Sequence, residues 1–512
     1  MSRGNLAVLL DGPARRFARR PAIVVGDEPY RDWQGLAGAV AARAAALRDR
    51  LGVRPGNAVA LFAGNCPAYL EALVAIWHAG AVAVPISSRL HALEAADLLA
   101  SARATVCFAT DAEAQALEAV VPPGTRIVVL GSADDAALAR HEPMEPVPRA
   151  TTDDAWIFFT SGTTGRAKGA RLSHGNLLAM SAACYADISP VGPDDTLVHV
   201  AALSHASGLM ALPFLAGGAT QVLPASGGFE AGELLDLVAA GTRSTFFVPP
   251  VLLRRLTAAP ALASAPVDRI GTVLVGAAPV SPDDLRAGVA ALGARVWNGY
   301  GQGETPCTIT ANPPAAIAAA VAEGDERVLG SVGVPRWATR VRVVDGDDRV
   351  LPSGEVGEVV VDGPTVMAGY LDLPDASADA LRGGWLHTGD LGRLDADGHL
   401  TLVDRAKDVV ITGGYNVYPR EVEDVLIAHP SVAEVAVVGV PDPEWGEVVA
   451  AFVVAADANA AVDAAALDAL CQGRIARHKR PRSYHAVAEL PRNAAGKILK
   501  KALREGLAHG AR

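Results

Sequence analysis

From the start of the chain to about residue 290, Ala-rich helical stretches alternate with short β-branched runs, and this alternation limits the fold more than any other feature. Residues 34–51 make one such helical stretch, closed by Gly52, and the apolar run 58–62 follows it. Repeated in this way, the pattern stacks as βα units with largely parallel sheets. Further strand-like runs lie at 156–160, 196–202, 244–248 and 272–275. Between 339 and 361 the runs shorten, alternate with polar residues and are broken by Gly346 and Pro352-Ser353-Gly354, as hairpins are. Past 404–408 the pattern changes again. Runs 434–440 and 448–454 read as strands, 420–428 and 464–478 as helices, and the Ala/Asp-rich stretch 455–466 as a surface loop. The expected fold class is α/β: a large N-terminal domain of stacked βα layers with a β-rich subdomain, residues 1–404, and a small α+β C-terminal domain, residues 405–512.

Composition narrows the function classes. Lys plus Arg is 45 against 56 Asp plus Glu, and a net charge of -11 argues against a chain whose main work is neutralising nucleic-acid or membrane phosphates. An apolar share of 50% with 20% charged residues excludes a disordered or fibrous chain. Cys66, Cys107, Cys184, Cys307 and Cys471 never fall at metal-ligand spacing, so neither a disulfide framework nor structural zinc is expected, and a reducing cytoplasm fits. The apolar start at 6–10 is too short for a signal peptide, and the apolar stretch 69–86 is broken by Glu71 and His78, so no membrane span is expected.

The most informative segment follows the run 156–159: Thr160-Ser161-Gly162-Thr163-Thr164-Gly165-Arg166-Ala167-Lys168-Gly169. Its glycines let backbone N–H groups approach phosphate oxygens, its hydroxyls add donors, and Lys168 supplies charge. It is not a Walker loop, because Ala167 precedes Lys168 and Gly169 follows it.

This loop resembles the signature of the adenylate-forming superfamily of acyl-CoA synthetases, luciferases and peptide-synthetase adenylation domains. Four further segments match in the family's order: Gly276-Ala277-Ala278-Pro279, residues 298–304, residues 384–390 running on to Arg405, and 491–497. The likeness is greatest to bacterial acyl-CoA or aryl-CoA ligases. It implies an acid-thiol ligase: a carboxylic acid and ATP give an acyl-adenylate and pyrophosphate, and coenzyme A then takes the acyl group and releases AMP. The substrate implied is a medium- or long-chain fatty acid or an aromatic monocarboxylic acid. The alternatives are a ligase loading a separate carrier protein and a malonate-type dicarboxylate ligase, for which Arg254 or Arg286 could meet the second carboxylate.

By the same resemblance Ser161, Gly162, Thr163, Thr164, Gly165 and Lys168 would hold phosphates, with Thr160 contributing to catalysis. Gly276, Ala277, Ala278, Pro279, Asn298, Gly299, Tyr300, Gly301 and Gln302 would border the adenine, Tyr300 stacking on it. Glu304 would hold Mg²⁺, a hard cation that takes oxygen ligands. Gly303 stands where the family commonly has Thr, which removes one hydroxyl from the phosphates. Asp390 and Arg405 would bind the ribose, Lys407 would lie at the hinge that makes the small C-terminal domain mobile, and Gly413 and Gly414 would line the path of the thiol. Lys497 would bridge the acid and the α-phosphate. His205 occupies the place where amino-acid-activating relatives keep an Asp, so an α-ammonium would find no partner there. Ala206, Ser207, Gly276, Gly299 and Thr305 are small and suggest room for a ring or a medium chain. The basic residues His478, Lys479, Arg480 and Arg482 could meet the phosphates of coenzyme A, whereas Lys500, Lys501 and Arg504 read as solvated surface charge. The partners implied are small molecules, with a homodimer or a carrier protein possible and no nucleic acid.

Overall fold

The computed structural model describes residues 4–160, 167–405, 408–412, 415–443, 445–457, 461–492 and 498–510. It divides into two compact units: Met1–Val341 with Val361–His387 and Gly398–Leu400, and Arg342–Val360 with Thr388–Asp397 and Thr401–Arg512.

The first unit is the expected mixed α/β body. One sheet runs Arg126–Val129, Val106–Ala109, Ala58–Ala63, Val82–Ser87, Asp154–Thr160 and Lys168–Ser173, parallel up to Asp154–Thr160 and antiparallel at the last pair. Every residue of Ala58–Ala63 and Val82–Ser87 is buried, as apolar strands covered on both faces must be. The preceding helix, Trp33–Asp49, begins where the Asp32 side chain accepts the Gly35 N–H.

A second, nine-stranded sheet carries Asp195–Val198, Arg243–Val248, Ile270–Val275 and Val296–Gln302 side by side and parallel. Their carboxyl ends therefore share one edge, the edge at which open α/β sheets present their ligands. Val198, Phe246, Val248, Val273 and Val296 bury one face against Leu253, Leu256, Leu285 and Leu292. The run expected at 196–202 pairs only as far as Val198. Beyond it, Asn65 Nδ2 donates to the carbonyls of His199 and Ala201 at 3.0 and 2.9 Å, and Asn65 Oδ1 accepts the Leu203 N–H at 2.9 Å. A side chain thus takes the place of a neighbouring strand and turns the chain toward His205.

The second unit holds the segments 342–344, 357–360, 388–394 and 401–405 of a four-stranded sheet, the β-rich part expected from the hairpin signals, and a separate five-stranded sheet. In the latter, Val432–Asp442 and Gly446–Ala455 pair antiparallel over their lengths, with helix Pro419–Ile427 buried on them through Val422 and Leu426. The helix expected at 464–478 stops at Arg474: Ile475 is extended, and Arg477–Lys479 forms a separate 3₁₀ turn. Among the described residues no helix is long and apolar enough to cross a membrane, and no cluster of three or more metal-ligating side chains occurs. Cys66, Cys107, Cys184 and Cys471 are free, the last three buried.

Candidate active site

The aromatic run Trp156-Ile157-Phe158-Phe159 favours a pleated strand, and it forms a hairpin with Lys168–Ser173 that places Thr160 opposite Lys168. Gly169 is required there, since a Cβ on it would lie 2.8 Å from Ile157 Cγ2. The loop positions Ser161, Gly162, Thr163, Thr164 and Gly165 lie outside the described residues, as do Lys407, Gly413, Gly414 and Lys497.

At the base of this hairpin stands Glu304. Its Oε1 accepts hydroxyl hydrogen bonds from Thr160 and from Tyr370, each 3.0 Å, and its main-chain carbonyl accepts the Met367 N–H at 2.8 Å. Tyr370 arrives on an extended segment that lies along the hairpin: Ala368 N–H donates to Arg171 O, Arg171 N–H to Gly369 O, and Leu371 N–H to Gly169 O. Lys168 Nζ lies 5.1 Å from the centroid of the Tyr370 ring. One oxygen of the carboxylate is thus fixed by two hydroxyls, while Oε2 takes no hydrogen bond among the described residues. A carboxylate oxygen left without a hydrogen bond among the described residues suits a hard cation such as Mg²⁺, which keeps most of its shell as water. Tyr370 carried no signal in the sequence, being 66 positions from Glu304 and brought to it by long-range strand pairing.

Gly303 has a steric reason. A Cβ there would come 2.5 Å from Phe158 Cδ1 and 2.7 Å from Thr160 Cγ2, so the Phe158 ring and the Thr160 methyl fill the space a Thr would need. Phe158 also meets His205 edge-on, with centroids 5.7 Å apart. His205 precedes helix Ala206–Gly217, and its Nδ1 lies 2.9 Å from Ser204 Oγ. Burial lowers its pKa, and Arg89 lowers it further, so the ring is neutral near pH 7. Thr160, Lys168, Glu304 and His205 therefore surround one hairpin end.

Gly276 to Pro279 leave the sheet at the end of Ile270–Val275, with Ala277 in the left-handed region at φ 67°. On the neighbouring strand Asn298 is buried, Gly299 and Tyr300 pair with Ala311 and Thr310, and Gln302 Nε2 donates to Tyr300 Oη at 3.4 Å. Gly301 lies between them on the same strand. The space expected beside Ala206, Ser207, Gly276 and Gly299 meets two rings. The Trp297 ring covers Gly299, with Cη2 2.1 Å from where a Cβ would be, and Phe247 Cε2 stands 3.5 Å from a Cβ on Gly276. Ser207 bonds back to the buried His199, and Thr305 to Thr365.

In the second unit Arg405 Nε and Asp390 Oδ1 form an ion pair at 2.8 Å on adjacent strands, with Asp390 buried. Of the basic residues considered for coenzyme A, Lys479 pairs with Glu421 and Arg480 with Asp468; Arg482 lies over the Trp445 ring, and His478 stacks on Tyr415 at 4.7 Å. Lys500 and Arg504 are not simple surface charges. They pair with Glu423 at 2.8 Å and Asp408 at 3.1 Å. In the first unit Arg254 is paired with Asp284, and Arg286 with Asp283 and Glu326.

The family model for the AMP-binding enzyme matches residues 10–371, and that for the AMP-binding enzyme C-terminal domain matches 421–497. A feruloyl-CoA synthase from Amycolatopsis sp is 38% identical over 88% of this chain and 89% of its own. The fatty acid–[acyl-carrier-protein] ligase ScoC of Streptomyces coeruleorubidus is 35% identical over 89% of this chain and 87% of its own. Among solved structures, ATP-bound MatB from Rhodopseudomonas palustris superposes with a TM-score of 0.89 at 30% identity, covering 100% of both chains. The chain belongs to the AMP-binding enzyme family, the adenylate-forming acid–thiol ligases.

Proposed function

We propose that the enzyme is an ATP-dependent carboxylic acid:CoA ligase for an aliphatic or aromatic monocarboxylic acid, working in the cytoplasm. A carboxylate oxygen attacks the α-phosphorus of ATP, the bond to pyrophosphate breaks, and an acyl-adenylate forms. The thiol of coenzyme A then attacks the acyl carbon and AMP leaves. Such a sequence needs no protein nucleophile; it needs charge stabilisation and positioning.

Residues 161–165 with Lys168 cradle the phosphates, and Thr160 and Tyr370 hold the Glu304 carboxylate toward them. Mg²⁺, when bound at Glu304, neutralises phosphate charge. Tyr300 and residues 276–279 border the adenine, and Asp390 with Arg405 takes the ribose hydroxyls. His205, being neutral, bounds the acid without adding a charge. Lys497 bridges the acid and the α-phosphate. Domains 1–404 and 405–512 turn about Lys407 between the half-reactions, which brings Gly413 and Gly414 to the thiol. The observation that carries this reading is the Glu304 carboxylate fixed by two hydroxyls at the root of the Ser/Thr/Gly loop.

A carrier-protein acceptor is the second reading, favoured by the 35% identity to a fatty acid–[acyl-carrier-protein] ligase. Pyrophosphate release measured across aliphatic, aromatic and dicarboxylic acids, with and without coenzyme A, tests both. Turnover with a CoA thioester as product is expected. Release without any thioester would move the acceptor to a carrier protein, and no release with any acid would refute the activity.

A further inference from the structure

The acyl end of the site holds a feature that the family motifs do not announce. Ala206, the residue after His205, lines a cavity of only about 20 Å³ together with Met210, Phe247, Leu274, Trp297, Arg336 and Ile188. Its walls are almost wholly apolar, and its free volume is enough for one water but for no alkyl chain. The bulk that fills the region is the Trp297 indole. It points to the same side of its strand as Gly299 and lies on that glycine, which has no side chain to displace it.

The ring is held from beyond the cavity. Arg336 Cζ stands 5.4 Å from the ring centroid, its side chain is 1% exposed, and its Nε donates to both oxygens of Asp187 at 3.0 and 3.2 Å. Asp187 also accepts the Trp337 N–H at 3.0 Å, and Arg336 N–H donates to Ile309 O at 3.0 Å. A guanidinium fixed by a carboxylate and pressed on an indole makes a rigid wall. Because Asp187 already answers its charge, Arg336 serves as a support for the ring rather than as a receptor for a second carboxylate.

We propose that Trp297, backed by the Arg336–Asp187 pair, is the specificity-determining residue that ends the acyl pocket and restricts the enzyme to compact carboxylic acids. The inference rests on the acid-activating reading above. Replacing the indole by a methyl opens space on the order of the 150 Å³ cavity that takes up benzene, enough for several methylenes. Each methylene newly buried there raises affinity roughly fourfold.

The test is calorimetric binding of AMP and of non-hydrolysable acyl-sulfamoyl adenosines with acetyl, butanoyl, octanoyl and dodecanoyl tails. It is run on the full chain of the wild type, Trp297→Ala and Trp297→Leu. The wild type is expected to bind the butanoyl compound at least tenfold more tightly than the octanoyl one. Both variants should bind the octanoyl compound at least tenfold more tightly than the wild type does, with AMP affinity unchanged. Wild-type binding of octanoyl or dodecanoyl tails as tight as butanoyl would overturn the proposal. So would a variant that binds AMP normally and keeps the wild-type tail preference. If the wild type binds neither AMP nor any acyl compound, the acid-activating reading itself fails and takes this inference with it. Should both Trp297 variants lose AMP binding through misfolding, the milder Trp297→Phe, which keeps an aromatic ring but shortens the wall, takes their place, and no gain for the longer tails over butanoyl would then overturn the proposal.

Discussion

Tyr370→Phe removes one oxygen atom from the site and leaves the ring over which Lys168 lies. The lost contact is a 3.0 Å hydroxyl hydrogen bond to the Glu304 carboxylate, and bonds to charged groups contribute about 1.5–3 kcal/mol. In the free enzyme Glu304 is half-buried, so water replaces the hydroxyl and stability should change by less than about 1 kcal/mol. With polyphosphate filling the site that water is excluded, and the whole contribution appears as lost positioning, a decrease of roughly 10- to 100-fold in kcat/KM for adenylation. Tyr370 is a positioning residue, so the loss should fall on the ATP dependence and leave the KM for the acid nearly unchanged. Pyrophosphate release at varied ATP, beside urea unfolding of the same preparations, separates the two effects. Tyr370→Leu, which also removes the aromatic face from Lys168, should be worse than Tyr370→Phe. A Phe variant within threefold of wild type, or one whose loss tracks its unfolding, would refute the reasoning.

Protonation offers a second prediction. Burial holds both His199 and His174 down to about 4, against 6.5 for an ordinary histidine. The unfolded chain therefore binds more protons between those values: stability is complete above pH 6.5 and falls toward pH 4, by about 3 kcal/mol for each ring. His199→Gln, which keeps a donor and an acceptor between Ser207 and Gln221, should flatten that slope in urea titrations; an unchanged slope would remove His199 as a source. Gly303→Thr should destabilise by about 1–3 kcal/mol, because the added side chain meets Phe158 and Thr160. An unaltered urea midpoint would mean that the Phe158 ring swings clear at no cost. Lys497→Ala should abolish adenylate formation yet convert a supplied acyl-adenylate to thioester, and equal loss of both half-reactions in single-turnover assays would argue against a domain rotation between them.

What was legible in the sequence was whatever depends on nearby residues. The strand 58–62 and the helix 34–51 appear within two residues of their expected ends, because burial on both faces and a side-chain cap are local patterns. The run 196–202 ends as a strand at Val198, since nothing in its own residues reveals that Asn65, more than a hundred positions earlier, takes the carbonyls of His199 and Ala201. The same holds in the site. Glu304 and the Ser/Thr/Gly loop lie in contiguous motifs, whereas Tyr370 reaches Glu304 only through the pairing of 368–371 with the hairpin. Small residues at 206, 276 and 299 suggested space, but the ring that fills it stands two positions upstream on the same face of the strand. Strand alternation could have revealed that overlap; the buried support from Arg336 could not have been read without the fold.

The free cysteines have a bearing on an enzyme that hands acyl groups to thiols. Burial pushes Cys66 up to about 11 and Cys107 and Cys184 up to about 12, and Cys471 is raised as well. Thiolate, not thiol, is the species that attacks a disulfide, an alkylating agent or a thioester. At physiological pH these four sulfurs are almost wholly protonated, so they neither compete with the acceptor thiol for the activated acyl group nor form mixed disulfides with it when it oxidises.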